Sequence, residues 1–117
     1  MKISHNKNTD EISIVSKGVE IKGDLTSSGS IRIDGKITGN VFVTGDLIVG
    51  SSGVVFGEVK GRNVTIGGKI NGKVITTEKA ILEAGAELRG DLTAKILVVH
   101  EGALFEGNSK MNPTKIE

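Results

Sequence analysis

The segment Leu88-Arg89-Gly90-Asp91-Leu92 is one copy of a five-residue unit that reads apolar, polar, glycine, polar, apolar. Further copies occupy residues 21–25, 37–41, 55–59 and 70–74, and a divergent copy follows at 105–109. The first positions of successive copies are separated by 16, 18, 15, 18 and 17 residues. A repeat of this length is typical of a solenoid, in which each repeat forms one coil that cannot bury its own apolar face.

Alignment of the copies places the residues in five columns, and residues that stand two apart fall in adjacent columns, as in β-strands. The columns are Ile31, Leu47, Val64, Ala80, Leu97; Val15, Ile33, Val49, Ile66, Leu82, Val99; Ile21, Ile37, Val55, Ile70, Leu88, Phe105; Leu25, Val41, Val59, Val74, Leu92, Ser109; and the smaller fifth column Ser27, Val43, Gly61, Thr76, Ala94. We therefore predict an all-β fold, a right-handed parallel β-helix of about six coils with three short strands per coil and a triangular cross-section.

Three alternatives to this fold were weighed. A left-handed helix of the hexapeptide type has coils of similar length but a strict six-residue sub-repeat, whereas coil length here varies between 15 and 18 residues. The glycine- and aspartate-rich nonapeptide of calcium-binding β-rolls is absent from the sequence. A helical reading conflicts with the period-two alternation and with the frequent glycines.

Glycine marks the predicted corners. The glycine at the centre of each unit, such as Gly90, is expected at an inward position, where a side chain would collide with the core or prevent the bend. A second corner has a short form at 34–36 and 67–69 and a longer form elsewhere. In the longer copies we expect Gly53, Gly85 and Gly102 to be equivalent, with Gly18 as a fourth member.

Composition limits the domain organisation and the cellular location. The 117 residues allow one domain, predicted at 12–109, between polar tails at 1–11 and 110–117 that we expect to be disordered. A formal net charge of +1 gives no basic footprint for nucleic acid. The absence of cysteine fits a reducing compartment, and the polar start at 1–8 lacks the apolar segment of a signal peptide. These features predict a cytoplasmic protein.

Few residues could carry chemistry. His100 stands beside Glu101, but no third ligand or nucleophile recurs near them, and His5 lies in the N-terminal tail. Glycine pairs such as Gly35 and Gly39 do not open a helix and so lack phosphate-binding geometry. Alternating outward charges favour a solvated face. We therefore predict no catalytic residues, no metal site and no cofactor, and a protein that is not an enzyme. A small acyltransferase on a left-handed helix would need a long loop, and the sequence has none.

The regular succession of units resembles the bactofilins, the bacterial polymer-forming cytoskeletal family. The segments that carry the resemblance are 35–41, 57–61, 68–74 and 88–92, and it extends from Val15 to Asn108. It implies a right-handed β-helix that polymerises end to end without nucleotide, into filaments in which like ends meet. It also implies a scaffold for cell-shape or cell-wall machinery, with cell-wall enzymes or membrane-associated proteins as partners at the inner face of the cell membrane. Many members carry a hydrophobic N-terminal membrane-targeting stretch; the segment 1–5 departs from that pattern, which argues against direct membrane binding.

The two ends of the predicted stack are the candidate polymerisation surfaces, because terminal coils present unpaired strand edges and no cap is visible in the sequence. At the C-terminal end Phe105 is the one aromatic residue in an inward column. The residues assigned to the interface between subunits are Leu97, Val98, Val99, Leu104 and Phe105 at one end and Ile12, Ile14, Val15, Val19 and Ile21 at the other.

Outward apolar residues form a second candidate surface. Ile48, Ile81 and Val98 should share one outer column with Arg32 and Thr65, and Phe42 and Ile75 should share another. Such stripes are predicted to support lateral packing of filaments or a partner protein. The alternative function is accordingly a non-polymerising β-solenoid scaffold that binds a partner protein on its outer face.

Overall fold

The structure, a computed structural model, describes residues 12–111, with side chains over 14–109. The predicted N-terminal tail at 1–11 and the segment 112–117 of the predicted C-terminal tail lie outside these residues. Lys110 and Met111, which were predicted to belong to that tail, are the end of a strand because they pair with Thr93 and Ala94 of the preceding coil. The described residues form β-strands and no helix. The strands are β1 Ile12–Val15, β2 Glu20–Lys22, β3 Leu25–Ser27, β4 Ser30–Ile33, β5 Lys36–Thr38, β6 Val41–Val43, β7 Asp46–Val49, β8 Val54–Ile66, β9 Lys69–Leu82, β10 Glu87–Ala94, β11 Ile96–Val99 and β12 Leu104–Met111.

Parallel pairing between successive coils confirms the predicted all-β solenoid of about six coils. Each coil contributes a strand segment to three stacks. The first face stacks β1, β4, β7, the last parts of β8 and β9, and β11. The second face stacks β2, β5 and the first parts of β8, β9, β10 and β12. The third face stacks β3, β6 and the segments that follow in the long strands.

The predicted columns form the core. Ile33, Val49, Ile66 and Leu82 are register partners in successive coils, and each is at most 1% exposed. The third column runs from Ile21 to Phe105 in the same way. Like aliphatic residues stack on one another because every coil repeats the same inward positions, so each coil buries its neighbour's apolar side chains.

Of the two reasons predicted for the glycine at the centre of each unit, the backbone conformation supports the one that a side chain would prevent the bend. Gly90 has φ of +137°, a conformation that residues with a side chain rarely adopt. A Cβ atom on Gly90 would lie 1.7 Å from the carbonyl oxygen of Gly72 in the preceding coil. The obstacle is therefore the neighbouring backbone along the stack, and the expected collision with the core is wrong.

The longer corners contain one equivalence that was also predicted wrongly. Gly18, Gly85 and Gly102 have positive φ values of 92°, 88° and 95°, and Gly53 is not among the positive-φ residues. Gly53 instead belongs to a column with Gly68 and Ala86. The carbonyl oxygen of each of these residues accepts a hydrogen bond from a backbone N–H group at the start of the next coil's strand on the second face. At Gly68 a side chain has no room, because a Cβ there would lie 2.3 Å from the Gly53 carbonyl oxygen.

Candidate assembly surfaces

The strand edges at the two ends of the stack have neighbours on one side only among the described residues. At the N-terminal end β1 pairs with β4, β2 with β5 and β3 with β6. At the C-terminal end β11 pairs with β9, and β12 pairs with β10. Free edges of this kind offer backbone donors and acceptors to another strand.

The C-terminal coil exposes inward residues that are buried in the preceding coils. Val99 is the register partner of Leu82, and Val99 is 49% exposed whereas Leu82 is fully buried. Leu97, Ala103 and Phe105 pack against the core but are only partly buried. The end of the stack is therefore an apolar surface that includes the inward side of its last coil.

One ion pair attaches this last coil to the one before it, and a second holds the same arginine within β10. Arg89 of β10 donates from Nε to Glu106 Oε1 of β12 at 3.1 Å and from Nη1 to Glu87 Oε1 at 2.9 Å. The hydrogen bond to Glu106 and then that to Glu87 raise the pKa of Arg89 above its ordinary value. The guanidinium is exposed, so the pairs orient β12 more than they stabilise it.

The N-terminal coil differs from the C-terminal coil in its exposure. Val15 is 6% exposed and Ile21 is 3% exposed, so these inward side chains are buried. Ile14 and Val19 are exposed at 62% and 43%. For Ile12 the structure describes the backbone, which pairs with Ser30. Of the five residues assigned to this end, Ile14 and Val19 are therefore the exposed apolar side chains.

Two residues assigned to the C-terminal interface lie in outer columns. Leu104 is the partner of the outward Glu87 and is 36% exposed. Val98 is the partner of Ile81 on the first face and is partly buried. Both stand at the rim of the C-terminal end, around the inward residues Leu97, Val99 and Phe105.

The outer column predicted on the first face is present. Register pairs connect Arg32 to Ile48, Ile48 to Thr65, Thr65 to Ile81 and Ile81 to Val98. Ile14 extends this column at the N-terminal end. Ile48, Ile81 and Val98 are partly buried, so they form a shallow stripe interrupted by Thr65; we call it the first-face stripe.

Phe42 and Ile75 lie on the third face and share a column there, as expected. Lys60 stands between them, since it pairs in register with both residues. Its Nζ lies 5.7 Å from the centroid of the Phe42 ring, within the range of a cation–π contact. These residues are thus separate from the first-face stripe.

The described side chains show little that could carry chemistry. His100 and Glu101 are both exposed in a corner of the last coil. Among residues 14–109 no three His, Cys, Asp or Glu side chains are grouped so that they could hold a metal ion. No helix long and apolar enough to cross a membrane occurs in the described part of the chain.

A family profile described as "Bactofilin: Polymer-forming cytoskeletal" matches residues 13–110. The chain belongs to the bactofilin family. The resemblance found in the repeated units is thereby confirmed, and the terminal coils described above lie within the matched region.

Bactofilins of Myxococcus xanthus (strain DK1622) are among its relatives. BacO is 27% identical over 99 residues, which cover 85% of this chain and 79% of BacO. BacN is 32% identical over 104 residues, 89% of this chain and 92% of BacN. BacP is 29% identical over 109 residues; the match covers 93% of this chain but 45% of BacP.

A solved bactofilin has the same fold. The Thermus thermophilus bactofilin, reconstructed by cryo-EM in double helical filaments, superposes with a TM-score of 0.81 at 34% identity. The match covers 86% of this chain and 99% of that one. Almost the whole of that solved chain is therefore matched by this one.

Proposed function

We propose that this chain is a non-enzymatic cytoskeletal subunit that polymerises end to end. The observation that carries the proposal is the C-terminal coil, where β11 and β12 are paired on one side and Val99 is 49% exposed. Another coil stacked on this end would complete the backbone ladder and bury Leu97, Val99 and Phe105. At the other end Ile14 and Val19 supply exposed apolar side chains.

The proposed filament joins like ends and so has no polarity. Two C-terminal ends related by a two-fold axis make a self-complementary contact. In this contact Phe105 of each subunit packs against the apolar end surface of the other subunit. The difference between the exposed C-terminal coil and the more buried N-terminal coil supports this arrangement, because an apolar end is best covered by another apolar end.

Polymerisation is proposed to require no nucleotide. The corner glycines could bind phosphate only through free backbone N–H groups. The N–H group of Gly23 instead donates to the Thr38 carbonyl oxygen, and that of Gly39 donates to the Phe56 carbonyl oxygen, in each case in the next coil. These donors are used in stacking the coils.

We further propose that filaments associate laterally through the first-face stripe. The T. thermophilus relative forms double helical filaments, which require contact between two filaments along their sides. Ile48, Ile81 and Val98 offer apolar side chains along one column of this chain for such a contact.

In the cell, the proposed filament scaffolds cell-shape or cell-wall machinery from the inner face of the membrane. Family membership supports a cytoskeletal role, and repetition of one outer surface along a filament suits the recruitment of several partner molecules. The second candidate function is a non-polymerising scaffold whose outer face binds a partner, which the outward column of Phe42, Lys60 and Ile75 favours.

Negative-stain electron microscopy of the purified protein without nucleotide, paired with analytical sedimentation, tests the proposal. We expect filaments and fast-sedimenting polymers. A single 12.2 kDa species at high protein concentration would instead support the non-polymerising scaffold.

A further inference from the structure

A groove runs along the third face parallel to the axis of the stack. It consists of two adjoining clefts of about 270 Å³ and 260 Å³ that share Val43, Thr44 and Lys60. Phe42 lines the first cleft, and Arg62 and Ile75 line the second. The groove spans four coils, which corresponds to roughly 14 Å at the usual strand spacing and to about four residues of an extended chain.

The groove follows from the fifth column of the repeat. Val43 and Gly61 line its floor, and Ser27 extends it. This column contains smaller residues than the other four, so the surface is recessed between two outward columns. The outward columns form its walls, with Phe42, Lys60 and Ile75 on one side and Thr44 and Arg62 on the other.

The charges that line the groove have one sign. Lys60 and Arg62 are charged, and the two clefts include no carboxylate among their lining residues as described by the structure. Arg62 contacts Asp46 at 3.5 Å while its side chain stays 58% exposed, so this pair is weak and leaves donors directed to solvent. Lys60 lies over the Phe42 ring, where a cation borders an apolar surface.

We infer that this groove binds a short segment of a partner protein that carries apolar side chains next to carboxylates. The apolar side chains would pack against Phe42, Val43 and Ile75. The carboxylates would pair with Lys60 and Arg62, and the Thr44 and Thr77 hydroxyls would border the bound segment. This inference depends on the proposed function in one respect: polymerisation would repeat the groove along the side of the filament.

The charge pattern separates this occupant from two others. A second copy that presented the same groove would place Lys60 and Arg62 against their own equivalents, and like charges across an interface oppose binding. An anionic membrane surface would also meet Glu58 and Asp91, which stand on either side of Lys73 in the neighbouring column. A narrow acidic segment within the groove avoids that neighbouring column.

Selection from a random twelve-residue peptide library displayed on phage tests the inference with the wild-type chain as bait. We expect enriched peptides to combine apolar residues with aspartate or glutamate. Enrichment of basic peptides, or the absence of any shared pattern, would overturn the inference.

An enriched peptide, labelled with fluorescein, then gives the affinity by anisotropy. The double variant Lys60→Glu, Arg62→Glu should bind it about tenfold more weakly or worse, because two favourable charge pairs become repulsive. Lys69→Glu, Lys79→Glu is the matched control, since it makes the same charge change outside the groove and should bind as wild type does. Equal loss in both variants, or no loss in either, would contradict the assignment of the groove.

Microscopy of the same proteins separates this inference from the proposed function. Lys60 and Arg62 lie outside the terminal coils and the first-face stripe, so the Lys60→Glu, Arg62→Glu variant should still form filaments and bundles. Groove-dependent peptide binding by a protein that forms no filaments would reject polymerisation and retain the groove. If the Lys60→Glu, Arg62→Glu variant lost its bundles but still bound the peptide, the occupant of the groove would be a second copy of this chain. That result would overturn the inference.

Discussion

Leu88 and Phe105 are register partners in adjacent strands, yet Leu88 is fully buried and Phe105 is only partly buried. Both residues occupy the same inward column, so the difference comes from position in the stack. Among residues 12–111, Leu88 has a coil on each side, whereas Phe105 has a coil on one side. The boundary between the folded core and the proposed contact with another subunit lies between these two residues.

Leu88→Ala and Leu104→Ala should therefore affect different properties. Leu88→Ala removes buried contacts and should lower the free energy of unfolding by about 2–5 kcal/mol. Leu104 is an outward residue at 36% exposure, so Leu104→Ala should change stability little and should weaken assembly. Denaturant unfolding and sedimentation of both variants measure the two effects. Equal destabilisation by both substitutions would contradict the separation of core from rim.

Gly90→Ala should be strongly destabilising although it adds one methyl group. The new Cβ would lie 1.7 Å from the Gly72 carbonyl oxygen, and φ at this position is +137°. We expect a loss of about 2–4 kcal/mol in the free energy of unfolding. Gly61→Ala is the control, because the nearest atom there is the Val64 Cγ2 atom at 3.2 Å and the backbone is not in the positive-φ region. Thermal unfolding followed by circular dichroism should give a much higher melting temperature for Gly61→Ala than for Gly90→Ala. Similar melting temperatures would refute the explanation that the backbone of the neighbouring coil excludes a side chain at Gly90.

The first-face stripe gives a prediction about bundles. Ile48→Lys, Ile81→Lys places two charges in the stripe and should leave single filaments intact while abolishing their lateral association, since burying unpaired charges is costly. Thr38→Lys, Asn71→Lys is a control with the same added charge on the second face, where both residues are outward. Electron microscopy should show bundles for the control only. Bundles of normal width in the stripe variant would rule out this surface.

The sequence was sufficient to predict the columns, because strand alternation and a repeat of about 17 residues leave one way to bury the aliphatic residues. Ile33, Val49 and Ile66 stack as expected. The repeat also predicted the separate outer columns of Ile48 and Phe42.

Other features depend on the distance between coils, which residue spacing does not report. Gly90 was expected to avoid the core, whereas its nearest obstacle is the backbone of Gly72. Gly53 was placed with Gly85, although its column contains Gly68 and Ala86. The short corners could have shown where Gly53 belongs, because Gly35 and Gly68 occupy the equivalent position in those corners.

The unequal ends could not be inferred from residue types. Ile21 and Phe105 belong to one column, but Ile21 is 3% exposed and Phe105 is only partly buried. Exposure at a terminal coil depends on what covers it, and the repeat pattern does not report that. The groove was likewise missed, although the small residues of the fifth column were visible in the sequence.

The central claim is that the C-terminal end joins subunits, and the assembly state of Phe105→Arg tests it most directly. Phe56→Arg is the control, because Phe56 is 40% exposed on the second face and the substitution adds the same charge. Sedimentation with negative-stain microscopy should show short soluble species for Phe105→Arg and normal filaments for Phe56→Arg, because a charge buried between ends opposes their contact. Normal filaments from a folded Phe105→Arg protein would contradict the claim.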